Sequence, residues 1–217
     1  MFETSFGWND LFFMLRGAGM TLALTACSVT GGTIIGLLLG LIRASAPWPV
    51  NAPLGAVLDI FRSVPLLVQF VLAGAIEAIL RLHAPPFLVG CVVLTLYTAA
   101  YCTEIVRGGI LSVPAATRRA ARSLGLTAFQ DLTEIVFPIA LRTALPNWIT
   151  LMLGVMKDSA LVLWIGLIEL LRSSQIIVTR IEEPLLVLSI AGAIYFLMSF
   201  PIARLGARLE KGWREND

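Results

Sequence analysis

Charge is what this sequence is short of. Of its 217 residues only 14% are Asp, Glu, Lys or Arg, where a soluble domain carries roughly a quarter. With 58% hydrophobic residues and a mean hydropathy of +0.87, the chain belongs in a bilayer. Histidine is nearly missing: His83 stands alone in a Pro-rich loop, which leaves no pair of imidazoles for a metal or catalytic centre. Cysteine is sparse and odd in number, and Cys27, Cys91 and Cys102 fall in apolar segments. They read as small buried hydrophobes, not as disulfides or metal ligands. No G-x-x-x-x-G-K-[ST] phosphate loop occurs, so the chain does not hold a nucleotide in that way. No internal repeat is found. The N-terminus carries Glu3 and Asp10 in place of the basic start of a cleaved signal peptide.

What is present is a series of long apolar runs. The 26 uncharged residues between Arg16 and Arg43 are too many for a signal peptide and read as a retained span. About 20 helical residues cross the hydrocarbon, and five segments qualify: about 18–42, 57–80, 86–106, 146–170 and 184–204. The second is interrupted by Arg62, Pro65 and Glu77. The expectation is an all-α membrane protein, a single transmembrane domain over 1–217. Basic residues give its orientation. With the N-terminus outside, the inner flanks hold Arg43, Arg62, Arg107, Arg118, Arg119, Arg122, Arg142, Arg204, Arg208, Lys211 and Arg214. The outer flanks hold Arg16, Arg81, Arg172 and Arg180. Eleven against four predicts N-terminus out, C-terminus in.

The inner loop, about 107–145, is written as short helices. Pro114 stands near a helix start and Gly125 just past a helix end. Thr127 and Gln130 have capping-box spacing and predict a second helix running to Pro138. Ala120 and Ala121 offer a small-residue patch that another surface could approach. The plainer reading of this segment is a stiff basic helix lying on the membrane surface.

The stretch RRAARSLGLTAFQDLTEIVFPIALRTALP resembles the EAA loop of ATP-binding-cassette (ABC) importer permeases. FRSVPLLVQF, YCTEIVRGGILSVP and KDSALVLWIGLIELLRSSQ narrow the resemblance to the polar amino acid importers of the histidine/glutamine/arginine permease kind. The likeness covers nearly the whole chain. It implies the type I ABC importer permease fold with a cytoplasmic coupling helix, sited in the bacterial cytoplasmic (inner) membrane. It also implies a second permease subunit, identical or a sister. Two ATPase subunits that bind ATP and Mg, and a periplasmic or lipid-anchored binding protein, complete the assembly. No cofactor of the chain's own and no nucleic acid partner are implied. The coupling positions are Arg118, Arg119, Ala120, Ala121, Ser123, Leu124, Gly125 and Leu126. Arg119 stands where the family motif usually has Glu, and Ala116, Thr117 and Arg118 replace Gly-Gln-Trp. That reversal implies an ATPase with a complementary acidic contact, or a contact placed elsewhere.

Lys157 and Asp158 are the only charges between Thr143 and Ile168. Either one in lipid costs at least ~2.5–3.5 kcal/mol, so neither faces acyl chains. They stand about 100° apart on a helix and do not pair as i,i+4 neighbours do. One reading places them on a pathway, with Ser159, Gln69 and Glu104 as further pathway candidates, meeting the carboxylate and ammonium of a zwitterion; the other has them locking helices or capping a bend before Ser159. Gln69 could line the same cavity or bond another helix. Glu104 sits three residues before Arg107, which suits local pairing or a gate. Glu169 and Arg172 repeat that spacing, and a plain interfacial pair accounts for them. Gly31, Gly32, Gly36 and Gly40 suit close helix packing, and Tyr97, Trp148, Trp164 and Trp213 suit packing or interfacial roles.

Three function classes compete. A permease moved by a separate ATPase accounts for the helical loop. An ion-gradient-driven secondary transporter or channel subunit would ordinarily show internal repeats. An intramembrane enzyme would need Ser159 and Lys157 to cooperate, yet two residues apart on a helix they point to different faces.

Overall fold

Residue by residue, local rules set where helices begin and end. The computed structural model describes residues 5–214, with no account of the side chains of Trp213 and Arg214. Glu3 lies outside that range. Helix α1 is Trp8–Ser45, and at 1.5 Å per residue its 38 residues reach about 57 Å. Helix α2 is Trp48–Ser63 and α3 is Leu66–Leu80. The two are bent by 100°. Val64 is the cause: preceding Pro65, it is pushed out of the helical region to φ −78°, ψ 128°. The span expected at 57–80 is therefore two helices meeting at a corner.

Helix α4, Pro86–Leu111, opens on Pro86 at a position that needs no N–H donor. Helix α5 is Ala115–Ser123 and α6 is a single turn, Ala128–Gln130. Asp131–Val136 then form a π-helical turn that runs into α7, Phe137–Asp158. The second loop helix does not stop at Pro138, nor does a span start afresh at Pro146. The widened turn makes room for the Pro138 ring, and Pro146 sits inside α7. A 3₁₀ stretch, Ser159–Ile165, ends at Gly166 with φ 84°, a left-handed stop that suits glycine. Helix α8 is Leu170–Ile181 and α9 is Pro184–Arg214. The segment expected as the end of a span at 146–170 is thus a break leading to a separate amphipathic helix.

Among the described residues four stretches are long and apolar enough to cross a membrane, Trp8–Ser45, Pro86–Leu111, Ala128–Ile165 and Pro184–Gly212, and the bent pair makes up to five. α1 and α4 form the parallel spine. A side chain at Gly36 would come 2.5 Å from Cys102 Cβ, and one at Gly40 2.7 Å from Val106; Gly32 meets Thr98 in the same way. The stripe of glycine exists for this approach. The main core joins Leu24, Val29, Phe70, Leu94, Val155 and Val162. A second cluster, with Met14, Leu170, Ile177 and Val187, holds α8 and α9 against the start of α1. Cys102 is buried and Cys91 partly so, but Cys27 lies exposed on α1.

Glu169 is not an interfacial pair with Arg172. Fully buried, it accepts from the backbone N–H of Leu171 (2.8 Å) and Arg172 (2.7 Å), from the Tyr195 hydroxyl (3.0 Å) and from the Thr21 hydroxyl (3.3 Å). It caps α8 and ties that helix to α1 and α9. The Arg172 side chain turns instead to Gln175 (3.4 Å).

Candidate functional site

α4 and α7 diverge enough to leave a cavity of about 350 Å³ between them. Tyr97 and Tyr101 come from α4, and Asn147, Thr150, Gly154 and Asp158 from α7. On α7, Asn147, Thr150, Gly154 and Asp158 are spaced three, four and four apart, one face of a helix. Tyr97 lies 11 residues into α4 (97 minus 86), about 16 Å from its start and so near mid-bilayer depth. Tyr101 ties the cavity to the corner of the broken span. The Tyr101 hydroxyl donates to the Arg62 carbonyl at 3.2 Å, and the Arg62 guanidinium lies 5.6 Å from the Tyr101 ring centroid. The two tyrosine rings are 4.8 Å apart.

Asp158 is half-buried and, among the described residues, is the one charge lining the cavity. Its surroundings are neutral: two phenols, an amide and a hydroxyl. Such a site offers an anion to a ligand's cationic end and several neutral donors to an anionic end. Irregular backbone at membrane depth occurs where it lines such a cavity or is buried in protein.

The other pathway candidates fall elsewhere. Lys157 is exposed on the adjacent face of α7 and does not line the cavity. Ser159 is buried, its hydroxyl donating to the Met156 carbonyl at 2.8 Å as α7 gives way to the 3₁₀ stretch. Gln69 stitches the corner itself, its amide donating to the carbonyls of Phe61 and Val64, each at 2.9 Å. Glu104 accepts from Arg107 (3.0 Å) and from Arg43 at the far end of α1, and Arg43 also donates to Asn51 at 2.9 Å. Local pairing with Arg107 follows from sequence spacing; Arg43 and Asn51 arrive from other helices and leave no local signal. Tyr97 is a lining residue as well as a packing one. Tyr101, Asn147 and Thr150 were missed because polar residues at three- or four-residue spacing in an apolar span carry no label of their own. Trp148 packs between α1 and α7 and donates to the Thr33 hydroxyl at 2.8 Å.

The loop forms a knob. The capping box at Thr127 is complete, with Gln130 Oε1 accepting from the Thr127 N–H at 2.9 Å and Thr127 Oγ1 from the Gln130 N–H at 3.3 Å. Gly125 has φ 91° and turns the chain back. Arg118 donates twice to Asp131 Oδ2, at 3.1 and 2.9 Å. Asp131 is itself buried, so this pair clamps α5 to the π turn. Arg118, a coupling position by resemblance, is thus engaged inside the knob; thirteen residues separate it from Asp131, beyond any local rule. Ala121 is buried within the knob, while Ala120, Arg119, Arg122, Ser123 and Gly125 are exposed. Leu124 is 82% exposed and Phe129 73%, an apolar tip beside a basic rim. Leu126 is half-buried, its N–H donating to the Ala121 carbonyl at 3.2 Å.

Residues 32–215 match the model of the family described as binding-protein-dependent transport system inner membrane component. The chain is 34% identical to the octopine transport system permease protein OccM of Rhizobium meliloti over 96% of its own length and 89% of the relative's. It is 30% identical to the glutamine transport system permease protein GlnP of Escherichia coli (strain K12), over 97% of each. Among solved structures it is similar to a crystal structure of an amino acid ABC transporter with histidines. The TM-score there is 0.85 at 29% identity, over 95% of this chain and 99% of that one. An inward-facing structure of the MetNI methionine ABC transporter shares the fold, with a TM-score of 0.80 at 21% identity over 95% and 99%.

Proposed function

This chain belongs to the family of binding-protein-dependent transport system inner membrane components, and from that premise we propose that it is the membrane-spanning permease subunit of an ABC importer for a polar amino acid. The observation that carries the mechanism is the single course of α7. One helix runs from the π turn beneath the basic knob to Asp158 in the polar cavity. Force applied to the knob by a separate ATPase reaches the cavity through a rigid element, without crossing a flexible link.

In this reading the N-terminus is outside and the 107–145 loop faces the cytoplasm. ATP and Mg are handled entirely by the ATPase. A second permease subunit, identical or a sister, faces the Asp158 cavity and completes the pathway. Substrate arrives from a binding protein at the end opposite the knob. Asp158 receives the ammonium group, and the hydroxyl and amide donors of Tyr97, Thr150 and Asn147 attend the carboxylate. Lys157, on the neighbouring face, meets the second subunit. Arg119 and Arg122 on the outer face of α5 select an ATPase whose receiving groove carries carboxylates, with Leu124 and Phe129 entering as the apolar plug.

The test is uptake of a panel of amino acids by the reconstituted complex. Asp158→Asn and Lys157→Ala are each expected to abolish ATP-driven uptake while membrane insertion and recovery of the ATPase stay intact. Wild-type uptake in both variants removes the pathway assignment. Gradient-driven, ATP-independent uptake by the purified chain alone would instead favour a secondary transporter.

A further inference from the structure

The outward face of α9 carries a ladder that the transport reading leaves unused. Phe196, Phe200, Arg204 and Arg208 follow one another at four-residue spacing, so they form one gently spiralling stripe in steps of about 6 Å. All four are exposed. The rings of Phe196 and Phe200 stack with centroids 5.0 Å apart, and the Arg204 guanidinium sits 5.1 Å from the Phe200 centroid. Pro201 and Leu205 join Phe200 and the two arginines around a shallow groove of about 740 Å³, with no carboxylate among the described residues that line it.

Depth makes these arginines unusual. Gly206 packs on Ile149 of α7, nine residues and about 13 Å from Asp158 along that helix. With the cavity near mid-bilayer depth, Arg204 comes about 10 Å to its loop side, inside the leaflet, and Arg208 about 6 Å further, at the leaflet edge. A guanidinium there must find a counter-charge or reach up to one. Aryl rings below and two guanidiniums above match an amphiphile with acyl chains and an anionic head. Each guanidinium can grip a phosphate with two parallel N–H donors. We propose that this stripe is a binding site for an anionic glycerophospholipid, the phosphate held between Arg204 and Arg208 and an acyl chain along Phe200 and Phe196. A second copy of the chain fits less well. A two-fold interface here would bring Arg204 and Arg208 against their own counterparts.

The test uses the whole transporter complex in phosphatidylcholine nanodiscs doped with a diazirine-bearing phospholipid, photolysed and mapped by mass spectrometry. A phosphatidylglycerol probe is expected to label residues 196–208 several-fold more than a phosphatidylcholine probe. Arg204→Gln with Arg208→Gln should erase that difference, and Lys at both positions should restore only part of it, since a lysine keeps the charge but not the two-pronged grip. Free inorganic phosphate should not compete; competition would mark a phosphate-ion site and overturn the lipid assignment. Equal labelling by both probes, absence of label at 196–208 in the unmodified complex, or crosslinking of this face to the second permease subunit would each overturn it too. The unmodified complex suffices for those three readouts, whether or not the double variant folds.

Discussion

Removing the Gln69 amide tests whether the broken span is a built corner. Gln69 donates both its N–H groups, at 2.9 Å each, to Phe61 and Val64 carbonyls around the break between α2 and α3. Inside membrane proteins a side-chain hydrogen bond contributes about 0.6 kcal/mol on average and about 1.7 at most. Two bonds, plus two carbonyls left unpaired in Gln69→Leu, set the expected loss at about 1–3 kcal/mol. Leu keeps most of the side-chain volume, so little of this comes from a cavity. The assay is reversible unfolding of the purified protein in mixed micelles titrated with dodecyl sulfate, followed by far-UV circular dichroism. Uptake kinetics in proteoliposomes run in parallel. The midpoint should fall while the KM for substrate stays within twofold. An unchanged midpoint with a KM raised tenfold would refute the reasoning and return Gln69 to the pathway.

Three further outcomes follow from the same geometry. Gly36→Leu should prevent α1 and α4 from closing, because even its Cβ would lie 2.5 Å from Cys102 Cβ; loss of the monodisperse peak in detergent size-exclusion chromatography reads this, and Gly19→Ala, with nothing within 4 Å, is the neutral control. Asp131→Ala should unclamp α5 and leave Arg118 without its partner, lowering ATPase stimulation by substrate-loaded binding protein. Adding Arg118→Ala should cost little more, so a strictly additive double variant would refute the clamp. Arg119→Glu should cut recovery of the ATPase in a pull-down by at least tenfold, and undiminished recovery would show that the basic rim does not choose the partner.

Composition and apolar runs made the crossings legible, since a bilayer demands about 20 apolar residues wherever it is spanned. The capping box, the turn at Gly125 and the glycine stripe were legible too, because each is a local rule tied to a few positions. What escaped were features set by residues far apart. Pro65 announced an interruption but not a 100° corner, whose angle depends on packing against α4 and the 3₁₀ stretch. Pro138 looked like a helix end, since a single proline in sequence does not show that the turn before it has widened. Glu169 looked like half of a surface pair, because its true partners, Thr21 and Tyr195, lie 148 and 26 residues away. The cavity escaped for the same reason: Tyr97, Tyr101, Asn147 and Thr150 belong to helices that sequence alone does not bring together.

The widened turn at Asp131–Val136 also fixes a compass bearing. It lodges one more residue per turn than an α-helix would, and one residue corresponds to about 100° of rotation about the axis. The direction in which the arginine-rimmed tip points, relative to the carboxylate inside the bilayer, is thus set by a residue count and not by any single contact. Relatives that gain or lose one residue here would keep both working parts intact while aiming one of them at the wrong quarter of its partner.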